Sequence, residues 1–222
     1  MIKYLTIVLL AFSVLQVNAQ TSSKGLGTND PEAKQILDAV STKFKSFKTV
    51  KGNFSLEVKD AAGKTQGTKK GTVYMKGVKY RVTITGQEIF CNGKNVWTYD
   101  KADNEVQVGE FDQSGSTITP QKLFTNFYDK DFLYKLNEEK KVGTKTIQEI
   151  ELTPVDKTKP FFKVIVNVDK ASKLITSTQV FEKNGNRYTY SMSNIVTNAA
   201  IADDMFVFDA KKYPGVEVID LR

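Results

Sequence analysis

The sequence predicts a mainly β fold with helices (α+β). Its core is an antiparallel sheet of about eleven strands, strongly curved or closed part-way into a barrel. Three observations predict it. Apolar residues alternate with polar ones in run after run along most of the chain. Short turn signals such as Asn92-Gly93 and Asn184-Gly185 separate the runs, so neighbouring strands connect as hairpins. Only two stretches show three- and four-residue spacing, and each supplies one amphipathic helix.

The first helix begins at Asp30-Pro31, an acceptor side chain at the cap followed by proline in the first turn. Ala33, Ile36, Leu37, Val40, Phe44 and Phe47 form its apolar face, and Lys34, Asp38, Lys43, Lys45 and Lys48 the opposite one. The period then changes to two. Phe54, Leu56 and Val58 alternate with polar residues, then Val73 and Met75, then Tyr80, Val82 and Ile84. Glu88 to Cys91 and Asn95 to Tyr99 flank the Asn92-Gly93 turn, and Glu105 to Glu110 adds a short strand. Asp112 to Thr119 is a polar loop, and Thr119-Pro120 opens a second helix with Leu123, Phe124 and Phe127 on one face. Strands resume at Leu133–Lys141, Thr144–Leu152, Phe161–Asp169, Leu174–Lys183 and Arg187–Thr197, and apolar residues at Met205 to Phe208 and Val216 to Val218 close the run. No composition break marks a domain boundary, so residues 30–222 read as a single domain.

The 222 residues are 40% apolar and 26% charged, too apolar for a disordered chain. The chain has no histidine and one cysteine, Cys91. That excludes a histidine-based triad, a histidine or multi-cysteine metal site, and an internal disulfide. The formal charge is +7, yet arginine occurs only at Arg81, Arg187 and Arg222. The lysines are interleaved with acids and form no basic stripe, which argues against nucleic-acid binding. Met1-Ile2-Lys3, the apolar run Tyr4 to Leu15 and Val17-Asn18-Ala19 have the layout of a secretory signal peptide over residues 1–19. The run is too short to span a bilayer, and Gln20, not cysteine, follows the expected cut. Residues 20–29 are small and polar and read as a flexible leader.

No glycine-rich phosphate loop, nucleophile elbow or metal-ligand spacing is present, so an enzyme is not expected and no cofactor is implied. The carboxylate pairs Asp129/Asp131 and Asp203/Asp204 have no neighbours in sequence that would tune them. Apolar surface is the stronger signal. Aromatic residues Phe54, Tyr74, Tyr80, Phe90, Trp97 and Tyr99 crowd the first meander. Two helices laid across a concave sheet would enclose either a packed interior or a lipid-sized cavity, and the pattern fits both.

The segment Phe90-Cys91-Asn92-Gly93-Lys94-Asn95-Val96-Trp97-Thr98-Tyr99-Asp100 resembles the signature hairpin of the periplasmic outer-membrane lipoprotein carrier (LolA) family. The helix running into Phe47 to Phe54, the strand Gly71 to Lys76, the Thr119-Pro120 helix start and the ending Phe206 to Val218 follow in that family's order. The resemblance implies an unclosed β-barrel with helices as a lid over an apolar cavity. It implies a monomeric periplasmic carrier that takes acylated lipoproteins from an inner-membrane ATP-binding-cassette release complex to an outer-membrane acceptor. Tyr80, Val82 and Ile84 match cavity-facing strand positions, Tyr74 stands where the family often has tryptophan, and Trp97 and Tyr99 match directly. With Phe54, Leu56 and Phe90 they make up the expected lipid-binding cavity. Ile36, Leu37, Val40, Phe44, Leu123, Phe124 and Phe127 would be the lid. Gly77 stands where many members carry the arginine that latches the lid, which leaves Lys76, Lys79 and Arg81 as candidate latch residues. Alternative readings are a binder of another lipid or glycolipid with the same fold, and a protein-binding envelope sensor.

Overall fold

The computed structural model describes residues 29–112 and 128–222. The expected signal peptide, nearly all of the leader, and the second helix with Leu123, Phe124 and Phe127 lie outside the described residues. Helix α1, Pro31–Lys45, starts where the cap signal places it: Asp30 Oδ1 accepts from the amides of Glu32 at 2.9 Å and Ala33 at 3.5 Å. The strands are β1 (Val50–Lys59), β2 (Thr65–Lys76), β3 (Lys79–Ile84), β4 (Gln87–Cys91), β5 (Asn95–Asp100) and β6 (Glu105–Glu110). They continue with β7 (Phe132–Val142), β8 (Lys145–Pro154), β9 (Phe161–Asp169), β10 (Leu174–Glu182), β11 (Arg187–Thr197) and β12 (Glu217–Asp220).

All twelve form one sheet, in the order β12-β6-β5-β4-β3-β2-β1-β11-β10-β9-β8-β7. It consists of two antiparallel meanders, β1 to β6 and β7 to β11, joined where β1 pairs with β11. The sheet does not close: β12 and β7 are its two edges. The edge at β7 is partly covered. Asp30 N donates to Tyr134 O at 3.1 Å, Tyr134 N to Asn29 Oδ1 at 3.1 Å, and Leu136 N to Asp30 Oδ2 at 2.9 Å. One aspartate therefore caps the helix and ties it to the sheet edge, a position where unpaired backbone would invite further strands. Tyr128, in the short helix Tyr128–Asp131, adds a second tie by donating to Asp38 on α1 at 2.8 Å.

The helix divides the two faces of the sheet, and its side is here called inner. Ala33, Ile36, Leu37 and Val40 pack on Tyr134, Ile150, Leu152, Val164, Val166, Val168 and Ile175 of β7 to β10. Leu37 is 2% exposed, and truncating such a side chain to alanine costs about 2–5 kcal/mol.

The C-terminal segment departs from the strand expectation. Asp203–Phe206 and Ala210–Lys212 are 3₁₀ turns, and only Glu217–Asp220 is a strand, paired parallel with β6. The cause is tertiary: Asp203 is held by two lysines of the β2–β3 hairpin, and Phe208 is buried against Phe90 and Tyr99 of β4 and β5.

Candidate functional site

The register assigns each expected cavity residue to a face. The inner face of the first meander carries Val50, Phe54, Leu56 and Val58 of β1, Val73 and Met75 of β2, and Tyr80, Val82 and Ile84 of β3. Met192 of β11 lies opposite Phe54, and Tyr190 opposite Leu56, with the Phe54 and Tyr190 rings stacked at 6.2 Å. The end of this strip nearest α1 is buried: Val50, Val73, Met75, Tyr80 and Cys91 form a cluster against Phe44 and Phe47. Beyond it Phe54, Leu56, Val58, Val82 and Ile84 are only half-buried. α1 covers the second meander, and Phe44 near its end and Phe47 just beyond it pack against the first.

Tyr74, Phe90, Trp97 and Tyr99 stand on the other face. Tyr74 pairs with Arg81, Phe90 with Trp97 and Glu88 with Tyr99, all out of phase with Tyr80 and Val82. Phe90, Tyr99 and Val106 are buried beneath Phe208, with Trp97, Tyr213 and Val216 packed around them. Tyr213 lies 4.6 Å from both the Tyr99 and Phe208 rings. The returning C-terminal segment thus covers the outer face, and these aromatics form its seat. The structure brings together five of the nine expected cavity residues (Phe54, Leu56, Tyr80, Val82, Ile84) and separates the other four. The turn length carried this signal: a two-residue Thr85-Gly86 connection puts Phe90 opposite Arg81 and Cys91 opposite Tyr80.

Among the lid residues, Ile36, Leu37 and Val40 are sealed against the second meander, while Phe44 borders the first. Below the end of α1 lies a cleft of about 220 Å³, lined by Phe44, Lys45, Phe47, Lys48, Thr49, Val50, Met75 and Gly77. A narrow apolar pocket beside it shares Phe44, Phe47 and Val50 and adds Met192 and Ile195. Phe47, Val50, Met192 and Ile195 were not among the expected site residues. Phe47 alone had a sequence signal, as the last apolar position of the helix period.

The candidate latch residues engage the outer face. Lys76 Nζ and Lys79 Nζ each lie 2.8 Å from a carboxylate oxygen of Asp203, and Lys76 also donates to Ile201 O at 3.1 Å. Their hydrogen bonds hold the Asp203 carboxyl at about 2, well below the usual carboxylate range. Arg81 Nη2 donates to Glu88 Oε2 at 2.7 Å and the guanidinium lies 4.6 Å from the centre of the Phe90 ring. Lys101 at 3.1 Å and the Tyr213 hydroxyl at 3.2 Å complete the shell around Glu88. Burial would raise the Glu88 carboxyl, but the bonds from Arg81 and Lys101 outweigh it and hold the group low.

Cys91 faces inward, beside Tyr80. Burial pushes its thiol up, opposite to the shift that makes a cysteine nucleophilic. Burial likewise raises the Tyr80 hydroxyl. No three potential ligands among the described residues cluster in a way that could hold a metal ion. The chemistry this face offers is mostly apolar contact, with tyrosine hydroxyls at Tyr80, Tyr188 and Tyr190 and Lys69 opposite Leu56.

The model of the family described as outer membrane lipoprotein carrier protein LolA matches residues 45–209. Among solved structures, an uncharacterized conserved protein from Thermus thermophilus superposes with a TM-score of 0.58 at 11% identity, covering 85% of this chain and 99% of that one. A putative outer membrane lipoprotein-sorting protein domain from Vibrio parahaemolyticus gives 0.46 at 12% identity, covering 78% and 96%. A LolA superfamily protein from Nitrosomonas europaea gives 0.42 at 14%, covering 80% and 98%. No curated protein matches. The likeness to the Thermus protein is one of fold.

Proposed function

The chain belongs to the LolA family of outer membrane lipoprotein carrier proteins, and from that premise we propose that it is a non-enzymatic carrier of acylated lipoproteins in the periplasm. The observation that supports this most is the half-buried apolar strip Phe54, Leu56, Val58, Val82 and Ile84, on the inner face and beyond the cover of α1. The uncovered run of β1 from Phe54 to Val58 extends about 13 Å at the usual rise per residue, room for part of an acyl chain along the sheet. Each methylene withdrawn from water is worth about 0.8 kcal/mol, so a lipoprotein cannot cross an aqueous compartment alone. An open strip withdraws much of the chain yet releases it, which a sealed pocket would not. The inner-membrane release complex and the outer-membrane acceptor are the partners this reading requires. No helix among the described residues is long and apolar enough to cross a membrane.

A release assay tests the reading. The purified protein is incubated with spheroplasts holding newly made lipoprotein, and the supernatant is examined for a complex. Recovery of lipoprotein bound to the protein is expected. Lipoprotein that stays with the membrane while the folded protein is present in excess overturns the proposal.

A further inference from the structure

Folding gathers charge that is dispersed along the sequence. The turns joining β1 to β2, β8 to β9 and β10 to β11 lie together at the end of the sheet opposite the C-terminus of α1. They touch one another. Lys183 N donates to Pro160 O at 2.9 Å, Lys183 Nζ donates to Lys157 O, and a Cβ added at Gly185 would meet the Ala61 side chain at 2.5 Å. Residues 57–70, 154–163 and 182–187 hold nine cations against four acids, a net +5 of the chain's +7. The adjoining short helix Tyr128–Asp131 lowers this by one. The acids are engaged within their own hairpins. Asp60 accepts from Lys64 N and Gln66 Nε2, Asp156 from Thr158 N and Oγ1, Glu182 from Asn184 Nδ2 and Glu57 from Thr65 Oγ1. Lys64, Lys69, Lys70 and Arg187 are exposed and make no ion pair among the described residues. Apolar groups stand among these charges. Val155 is 52% exposed and Phe162 50%, and the Phe162 ring lies 6.3 Å from Phe181, which Lys163 and Arg187 flank at 4.5 and 5.6 Å. The half-buried inner strip runs out at this rim, where Val58 pairs with Gly67 on one side and Tyr188 on the other.

We propose that this rim settles on an anionic lipid bilayer, with its cations among the headgroups and Phe162 and Val155 in the interface. Eight of the nine cations are lysines, compact point charges that ask for no fixed geometry in a partner. That suits a fluid headgroup layer better than the shaped surface of an acidic protein. Attachment to a bilayer is firm when charge attraction is joined by apolar insertion, and the rim offers both. The contact brings the open end of the strip to the lipid, a use that rests on the acyl-binding reading above.

Flotation with phosphatidylcholine vesicles, with and without phosphatidylglycerol, tests the proposal. The protein is expected to float with the anionic vesicles and not with phosphatidylcholine alone. Release is expected in about 1 M salt, where screening acts within about 3 Å. A basic residue close to an anionic surface contributes about fivefold in affinity, so Lys64→Gln/Lys70→Gln should bind about 25-fold more weakly. Phe162→Ser should cost about fivefold, the share of a ring already half-buried. Removing the same charge at the other end of the sheet, in Lys43→Gln/Lys94→Gln, should leave vesicle binding unchanged, and both lysine variants should melt with the native protein. Flotation with neither vesicle overturns the proposal and leaves an acidic protein as the partner of the rim. Equal loss from the two lysine pairs overturns it in favour of overall charge. Either result leaves the acyl-binding reading to stand or fall on the release assay.

Discussion

Replacing Glu88 by glutamine tests how the outer face is held together. The carboxylate is 9% exposed and its three partners, Arg81, Lys101 and Tyr213, come from β3, the β5–β6 turn and the C-terminal segment. Glutamine keeps the shape and removes the charge. The Arg81 guanidinium, 28% exposed and stacked on Phe90, then loses its counter-ion. Removing one partner of a buried pair costs about 3–5 kcal/mol, and the exposure of Arg81 and Lys101 places this case at about 2–3 kcal/mol. For a chain of this size each kcal/mol moves the melting temperature by about 2–4 °C, so a fall of about 5–10 °C is expected. The pH dependence has a definite sign. Glu88 is held below its ordinary 4.5 in the folded protein, so its contribution is complete above that value and is lost as the pH falls through the lower folded-state pKa. Melting curves of the native protein and the glutamine variant should therefore be well separated at pH 7 and draw together as the pH falls below 4.5 through the lower folded-state value. Equal melting temperatures at pH 7, or a gap that persists unchanged into acid, would refute the argument.

Other substitutions probe separate joints. Asp30→Ala removes a helix cap and the bond to Leu136 N, so a loss of about 2 kcal/mol is expected in urea unfolding, with Asp30→Asn keeping about half. Gly71→Ala would bring a Cβ to 1.7 Å from Thr83 O and 2.9 Å from Ile84 Cα, so β2 and β3 must separate. A loss of at least about 2 kcal/mol is expected from the same measurement. Trp97→Ala should cost about 2 kcal/mol, because the ring packs only half-buried against the outer cluster. It should leave acyl-probe affinity unchanged, and a tenfold loss of affinity would place Trp97 in the binding site after all.

Much of the fold was legible because its signals are local. Asp30-Pro31 and the spacing of Ile36, Leu37 and Val40 locate α1, and Asn92 does what its type suggests in the hairpin. Its side chain accepts from Lys94 N and Asn95 N at 2.9 Å each, next to Gly93 at a φ of 88°. Facing was harder to read. In β4 both faces are apolar, Ile89 and Cys91 inward and Phe90 outward, so alternation gives no answer. Phe90 is buried only because Phe208, distant in sequence, returns to cover it. The same non-local segment explains Lys76 and Lys79, whose partner Asp203 could not be found from neighbouring residues. The parallel pairing of β12 with β6 is likewise set by where the chain arrives and has no signature within Glu217–Asp220.

The central claim is that acyl chains lie on the inner face of the first meander. Photo-crosslinking with a diazirine-bearing palmitoyl probe, followed by mapping of the modified residues, tests it directly. Adducts are expected on Phe54, Leu56, Val82, Ile84 and Met192. Adducts confined to Phe90, Trp97 or Phe208, or none from folded protein at saturating probe, would contradict the account.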